Sequence, residues 1–451
     1  MILSTIEKIM RLLQQAFSRL DARVSLHAIE ELGVIVHKTM TAHVRSYHTL
    51  EHVFHLAEHP EPHHQLAALF HDIVYYQIDR GFPPEVRRVV APFLVERDGV
   101  TIAAGIEPNE RLARLTLEVF GYAPGQQLSP FSGLNEFSSA LFMNYALREA
   151  LDERDLLCLT ACVEATIPFR VKNAQKQSCF DLLEQRLCQA NRQHQCGLTA
   201  DDIEQILMIA VNFANHDVDS FAEPNPGTFL DSSWKVLLES NTPLHTAGAY
   251  SIREYRNGLQ NMGKFLCHLH PEIIFHQYHG EPPDDVLSRL IGLARRNLLI
   301  GCEYVNIKLL AIAIFEALAE LTGGDAPLSL FMGDLTQQEL PIKRLEQFLP
   351  DDDEISPETD DAAAVINLLE VGRTSESSFD LKNSPTSFFV YTHISEPRRA
   401  ELMPLAQAMF DGKLPPEEFL RAVDPFVVSA IAKASAEMVF SRREELLRFV
   451  R

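Results

Sequence analysis

Cysteine is scarce in this 451-residue sequence, and its positions carry no metal-binding or disulfide signature. There are seven cysteines, an odd number, and no two of them are spaced as C-x-x-C. Neither a disulfide framework nor a thiolate zinc site is therefore expected. A reducing compartment is the better interpretation, which predicts a cytoplasmic protein. The cysteines are Cys158, Cys162, Cys179, Cys188, Cys196, Cys267 and Cys302.

Basic residues are also in short supply. Lys and Arg together number 40 against 62 Asp and Glu, which gives a net charge of −22 at neutral pH. Such a chain lacks the positive footprint that nucleic-acid backbones require, and an anionic membrane surface would repel it. We therefore expect neither a nucleic-acid duplex nor a membrane as partner. With 46% apolar and 23% charged residues, the composition is that of a folded protein with a sizeable core.

Long uninterrupted apolar runs are missing as well. The first 20 residues form an amphipathic pattern with Glu7, Lys8 and Arg11, unlike a signal peptide. The most apolar stretch, residues 298–321, contains four charged side chains that would be expensive in hydrocarbon. They are Glu303, Lys308, Glu316 and Glu320. This stretch is interpreted as a core helix of a soluble protein.

Alternating β-branched segments are rare, whereas apolar residues recur at helical spacing through most of the first 320 positions. The pattern predicts a mostly α fold. Clusters of Pro and Gly, together with an acidic, Ser-containing stretch, suggest four segments. They are a helical domain over 1–245, a helical extension packed on it over 246–345, an acidic linker over 346–386 and a small C-terminal helical unit over 387–451.

What the sequence has in abundance is histidine. Ten of the 18 histidines lie between His27 and His71. If the segment around His48 is helical, His48 and His52 share one face of that helix. A later apolar run ends in the adjacent pair His71 and Asp72, and burying an unpaired Asp would cost several kcal/mol unless a cation satisfied it. The pattern favours a metal site.

Imidazole and carboxylate donors together suit Mn, Fe, Ni, Zn or Mg better than a thiolate-type zinc site. A further protein ligand has to come from elsewhere in the chain. The best candidate is Asp217, because a second apolar helical run, 210–217, also ends in a carboxylate. His216, Asp219 and Asp231 lie close to it and are alternatives.

These motifs resemble the HD superfamily of metal-dependent phosphohydrolases. The Tyr47-His48 and His52 element is similar to that of class I cyclic-nucleotide phosphodiesterases. A group of bacterial predicted HD phosphohydrolases has H-D-hydrophobic-hydrophobic-Tyr, here residues 71–75, followed by an Asn-Glu pair and small residues, here 135–140. The resemblance covers roughly residues 47–239 and does not extend to the C-terminal 200 residues.

The resemblance implies an HD-domain helical bundle and one divalent metal ion, with a second ion as an alternative. The implied ligands are His52, His71, Asp72 and Asp217. It also implies that His48 protonates the leaving oxygen and that Glu136 orients metal-bound water or a ligand of the metal. The implied reaction is hydrolysis of a phosphate ester of a nucleotide or similar small substrate, with metal-bound water as nucleophile.

The sequence departs from the phosphodiesterase pattern at two positions. Ile167 stands where that family has Asp, and Tyr75 stands where it has a further His. Both departures speak against a complete second metal site and against cyclic-nucleotide specificity. Beyond the metal, the substrate phosphate needs positive charge. The strongest local supply is Arg170, Lys172 and Lys176, with Arg45 just before the first motif. A solvated basic face is the alternative interpretation of the Arg170 group.

Several simpler interpretations stand beside these predictions. Glu136 could be a helix-capping acid. His55 and His59 continue the histidine stripe but are expected to be solvated, and His63 and His64 are predicted to lie on the surface. The competing functions are a non-catalytic HD-fold scaffold for ligand sensing or protein interaction, and an alarmone hydrolase of the ppGpp type. Against the latter, Tyr75 and Tyr76 occupy the place of its usual Glu-Asp pair.

Overall fold

The chain is almost entirely helical. We describe a computed structural model that covers residues 3–41, 44–246, 248–333, 343–350 and 357–450. Helices account for 66% of the structure and strands for 3%, so the mostly α prediction is confirmed. Two compact units are present. The first comprises Met1–Asp219 with His270–Ile291, and the second comprises Ser220–Leu269 with Gly292–Arg451.

The first unit contains eleven complete helices and a small antiparallel sheet in the described residues. The helices are α1 Thr5–Arg19, α2 Leu26–Met40, α3 Leu50–Leu56, α4 Pro62–Phe70, α5 Tyr76–Asp79, α6 Pro84–Val90, α7 Arg111–Phe120, α8 Leu134–Leu147, α9 Glu153–Ala165, α10 Cys179–His194 and α11 Ala200–Asp217. The strands are β1 Leu94–Glu96, β2 Val100–Ile102 and β3 Gln127–Leu128, paired in the order β1-β2-β3.

Local sequence fixes where the helices of this unit begin. Helix α11 follows a capping box in which the Thr199 side chain accepts from the Asp202 backbone and the Asp202 side chain accepts from the Thr199 backbone. Helix α4 begins with Pro62 at its first position, and the Glu61 side chain accepts from the His64 backbone N–H. These caps satisfy backbone N–H groups in the first turn and so set the first residue of each helix.

Helix α9 lies at the centre of the first unit. Every residue from 156 to 165 is buried, which is the all-round apolar burial of a core helix. Helices α4, α8 and α11 pack against it. The polar ends of α4 and α11, which carry His71 with Asp72 and Asp217, are thereby positioned by a common apolar core.

The second unit is also helical. Its helices are α12 Pro226–Ser240, α13 Ile252–His268, α14 Asp284–Thr322, which begins within the first unit, α15 Leu328–Met332, α16 Asp360–Glu370, α17 Pro385–His393, α18 Glu396–Phe410, α19 Pro416–Ala422, α20 Pro425–Met438 and α21 Arg443–Leu447. By length and composition α14 could cross a membrane, but 78% of its most apolar window is buried. The predicted core helix over 298–321 falls within it.

One expectation about cysteine was wrong. Cys267 and Cys302 form a disulfide that joins α13 to α14. The two residues are 35 positions apart in sequence, and no spacing rule connects them. Only the packing of the two helices brings their Cα atoms to 5.1 Å, a distance a disulfide can span. The remaining five cysteines are free.

The two units also differ from the predicted segments. Residues 270–291 return to the first unit, so the contacts do not divide the chain at 245. Within the predicted acidic linker, residues 351–356 lie outside the described part, Asp360–Glu370 forms α16, and Asp380 is buried. Asp380 accepts a hydrogen bond from Trp234 Nε1 at 2.7 Å and pairs with Lys308 at 3.0 Å. Acidic composition suggested a solvated segment here, but Asp380 is compensated by partners distant in sequence.

Candidate metal centre

The four predicted metal ligands come from three helix ends of the first unit. His52 lies on α3, His71 caps the C-terminal end of α4, Asp72 follows it directly, and Asp217 is the last residue of α11. His48 was placed with His52 on one helix, but α3 begins only at Leu50. The turn before the helix therefore carries His48, and the predicted shared helix face does not exist.

The side chains of these four residues converge. His52 Nε2 lies 3.0 Å from Asp217 Oδ1 and 3.9 Å from Asp72 Oδ2. His71 Nε2 lies 3.1 Å from Asp72 Oδ2 and 3.4 Å from Asp217 Oδ1. With bonds of about 2.0–2.2 Å, the ligand atoms of a tetrahedral zinc site stand roughly 3.4 Å apart, and these four distances bracket that value. The ligand atoms of His52, His71 and Asp72 all lie within 4.8 Å of one another, whereas Asp217 is close to the two imidazoles but is not part of that group. We refer to His52, His71, Asp72 and Asp217 as the four-donor cluster.

The hydrogen bonding of His71 leaves a ligand atom free. Its Nδ1 lies 3.0 Å from the Ala68 carbonyl oxygen. Because a carbonyl can only accept, Nδ1 carries a hydrogen, and in neutral imidazole the lone pair is then on Nε2. That Nε2 and Asp72 Oδ2 are buried, lie 3.1 Å apart, and have no hydrogen-bond partner outside the cluster among the described residues. A proton on Nε2 would pair the two atoms, and with His71 neutral a divalent cation would satisfy both, so the donor set fits such an ion.

The charges of the four-donor cluster also favour a bound cation. Burial opposes protonation of His71, yet the carboxylates of Asp72 and Asp217 hold the pKa of His71 well above its ordinary value. Burial alone would raise the pKa of each carboxyl, but the adjacent imidazoles keep the pKa values of Asp72 and Asp217 well below the usual range. Both carboxylates are thus anionic, and either a proton on His71 or a metal ion can balance them.

The turn after His71-Asp72 is held from three sides. Arg45 is buried, donates to the Asp72 carbonyl at 2.7 Å, and pairs with Asp79. Ser139 Oγ accepts from the Val74 backbone at 3.1 Å. Asn135 Oδ1 likewise accepts from the backbone N–H of residue 76 at 2.9 Å. The small polar residues of the 135–140 stretch therefore fix the turn that presents Asp72. Arg45, proposed from sequence as a phosphate-binding charge, is instead engaged inside the protein.

His48 lies beside the cluster without belonging to it. Its ring is 6.3 Å from the ring of His52, between centroids, and packs on Tyr75 at 4.1 Å. Burial raises the pKa of Asp72, and the charge of His48 helps to lower it, after the larger lowering by His71. His48 is therefore close enough to act on a group bound at the cluster.

Glu136, in the first turn of α8, has a perturbed acidity. Burial, reinforced by the charges of Asp72 and Asp217 and opposed by Arg170, raises the pKa of Glu136 to about 7. Its Oε2 is buried and has no hydrogen-bond partner in the described structure. A carboxyl group that titrates near neutral pH can act as a general acid or base, which a solvated helix-capping acid would not do as well.

The predicted phosphate-binding cations have different surroundings. Arg170 pairs with the buried Glu164 at 2.6 Å, and Arg186 contacts the same carboxylate at 2.6 Å. Lys172 is exposed. Burial opposes the charge of Arg170, but Glu164 raises the pKa of Arg170 overall. Two cations share one anion here, so the group retains a net positive charge next to Glu136, and a role of Arg170 and Lys172 toward phosphate stays a prediction.

The structure corrects two expectations for the other histidines and shows a partner for a third. His64, predicted to be at the surface, is 1% exposed, and burial lowers the pKa of His64 to about 3. His63 bridges Glu61 and Asp155 at 2.9 and 2.8 Å, and these partners outweigh burial to raise the pKa of His63 to about 11. His55 is exposed, as expected, and is also paired with Asp219 at 2.8 Å. Glu61 is two positions from His63, but Asp155 and Asp219 are remote along the chain, and no local pattern pointed to them.

Comparisons with protein-family models, curated proteins and solved structures find no match to this chain. Membership of the HD superfamily consequently stays a prediction that rests on the residues quoted above. The arrangement of His52, His71, Asp72 and Asp217 is an observation that does not depend on it.

Proposed function

We propose that the chain is an HD-type metal-dependent phosphohydrolase that hydrolyses a phosphate ester of a nucleotide or a similar small substrate. The observation that carries the proposal is the convergence of His52, His71, Asp72 and Asp217 from three separate helix ends. Two of the converging atoms, His71 Nε2 and Asp72 Oδ2, are buried 3.1 Å apart and have no hydrogen-bond partner outside the cluster among the described residues. With His71 neutral, both atoms present lone pairs that a divalent ion can satisfy.

The four-donor cluster would hold one divalent ion with two imidazole nitrogens and two carboxylate oxygens. When bound, the ion supplies Lewis acidity that polarises a phosphoryl oxygen and makes water a better nucleophile. Nitrogen and oxygen donors in this ratio are compatible with Mn, Fe, Ni, Zn or Mg. Arg45, Asn135 and Ser139 act by holding the turn that presents Asp72, because each bonds to the backbone of residues 72–76.

His48 is proposed as the general acid. It stands beside the cluster, against Tyr75, and an imidazole whose ordinary pKa is near neutrality can donate a proton to the leaving oxygen. Glu136 is proposed to take the proton of the attacking water, since a carboxyl with a pKa of about 7 is half ionised at neutral pH. The net positive group of Arg170, Arg186 and Glu164 lies next to Glu136 and would favour an anionic substrate.

The test is turnover of a generic aryl phosphodiester under Mn, Ni and Mg supplementation, together with metal content. We expect wild type to turn over and Asp217→Asn to lose both metal and activity. Asp201→Asn is the matched control, because Asp201 is an exposed acid in the first turn of the same helix. Metal-free wild-type protein with no turnover under any of these ions would contradict the proposal and favour the scaffold function.

A further inference from the structure

A second group of metal-type donors lies on the same helices as the four-donor cluster. His55 Nε2 is 2.8 Å from Asp219 Oδ2, and His216 Nε2 is 3.7 Å from the same oxygen. The rings of His55 and His216 have centroids 4.9 Å apart. These three side chains offer ligand atoms that all lie within 4.8 Å of one another. We propose that His55, His216 and Asp219 form a second binding site for a divalent transition-metal ion.

The distances suit such an ion. The two contacts to Asp219 bracket the roughly 3.4 Å that separates ligand atoms in a tetrahedral zinc site. His55 comes from α3, His216 from the end of α11, and Asp219 from the 3-10 helix Asp219–Ala222 that follows. Helix α3 and the end of α11 with the turn that follows it thus place three ligand atoms within 4.8 Å of one another, which a simple histidine–carboxylate pair does not require.

His216 is oriented by a partner behind it. Its Nδ1 lies 3.1 Å from Nε2 of the buried His64. If Nε2 of His216 binds a metal, its Nδ1 must carry a hydrogen and donate it to His64. His64 is in turn stacked on His59, with ring centroids 4.2 Å apart and planes 16° from parallel. An imidazole ligand held through its second nitrogen by a fixed acceptor is the usual arrangement in protein metal sites.

The chemistry of the donors defines the class of ion. Two imidazoles and one carboxylate favour Zn, Co, Ni or Cu over Mg or Ca, which prefer oxygen ligands. Exposed fractions of 51% for His55 and 38% for Asp219 leave room for water to complete the coordination. We therefore expect this site to bind more weakly than the four-donor cluster and to exchange its ion freely. The inference does not depend on the proposed hydrolase function, because it concerns a different set of ligands.

The experiment counts ions on the full-length chain. Protein stripped with a chelator is equilibrated by dialysis against Zn²⁺, and bound metal is measured by mass spectrometry, with Co²⁺ absorption as a second readout. Wild type is expected to hold two ions, and His55→Ala and Asp219→Asn one each. His279→Ala is the matched control, because His279 is 55% exposed and pairs with Glu204 at 2.8 Å but belongs to neither metal-type group of the described residues. The His279→Ala variant should still hold two ions.

The outcomes separate this inference from the proposed function. Loss of one ion in His55→Ala, with the other lost in His52→Ala, supports both sites. A single wild-type ion that disappears in His52→Ala and survives in His55→Ala overturns the inference and leaves the proposed function intact. A single ion lost only in His55→Ala supports the inference and contradicts the four-donor cluster. Circular dichroism of each variant checks folding. If His55→Ala is unfolded, the number of ions bound to Asp219→Asn distinguishes these outcomes instead.

Discussion

Glu136 provides a direct test of how the raised pKa of a site residue affects the stability of the fold. Its pKa is raised from 4.5 to about 7, so in the folded protein the ionised form is disfavoured. A shift of this size corresponds to a destabilisation of the folded state by about 3 kcal/mol when Glu136 is fully ionised. Partial exposure of the side chain reduces this destabilisation to roughly 2 kcal/mol. Replacing Glu136 by Gln removes the charge while keeping the shape. The variant should therefore be more stable than wild type at alkaline pH but less active.

The sign of the pH dependence follows from linkage. A carboxyl whose folded pKa lies above its unfolded value destabilises the fold only as pH rises from about 4.5 through about 7. Glu136→Gln should match wild type near pH 4.5 and gain its full advantage near pH 8. The assay is urea unfolding of metal-free protein at both pH values, since a bound cation would itself lower the pKa of Glu136. Equal stability differences at the two pH values would refute the reasoning.

The choice of probe matters in this experiment. Glu136 lies in the first unit, whereas the single tryptophan, Trp234, is buried in the second. Tryptophan fluorescence therefore reports unfolding of the second unit, and circular dichroism is needed to include the first. Two transitions need not coincide in a chain with two compact units. We expect Glu136→Gln to shift the circular-dichroism transition and to leave the fluorescence transition in place.

Three further predictions concern individual side chains. His48→Gln should lower turnover by about 10²–10⁴-fold with the metal content unchanged, and loss of metal together with activity would instead make His48 a ligand. His63→Gln should destabilise the protein by about 1–3 kcal/mol in urea unfolding at pH 6. Because the pKa of His63 is about 11, the difference in unfolding free energy between wild type and variant should shrink as pH rises from 6.5 toward 11. A difference that stays constant with pH would argue against the charged bridge. Arg45→Met leaves Asp79 buried without its cation, so calorimetry should show a loss of about 3–5 kcal/mol in the free energy of unfolding. Adding Asp79→Leu to the same chain should restore part of that stability. No restoration would contradict the pairing.

The four-donor cluster and the proposed second site share their supporting helices. His52 and His55 are three positions apart on α3, and His216 and Asp217 are neighbours at the end of α11. Successive residues at the end of a helix point in different directions, so one helix end can serve two donor groups. Three of the ten histidines between His27 and His71, namely His52, His55 and His71, belong to these two donor groups.

Part of this protein could be read from the sequence. The 3.6-residue spacing of apolar residues determines that the chain is helical, because each helix needs one buried face, and this prediction was confirmed. The polar residues that end apolar runs, His71 with Asp72 and Asp217, stood out since a polar group at the end of a buried helix requires a partner. The structure brings Asp72 and Asp217 to within 3.9 Å of His52 and within 3.4 Å of His71, and their role as metal ligands stays a prediction.

Other features were decided by tertiary structure alone. The partners of His55, His63 and His64, the Cys267–Cys302 disulfide and the burial of Asp380 all join residues far apart in sequence. Periodicity describes which face of a helix is buried, but it carries no information on what that face meets. The charge state of Glu136 belongs to the same class, because its pKa depends on burial and on the carboxylates of Asp72 and Asp217. Sequence thus determined the donors, and only the packing of the helices determined their partners and their acidity.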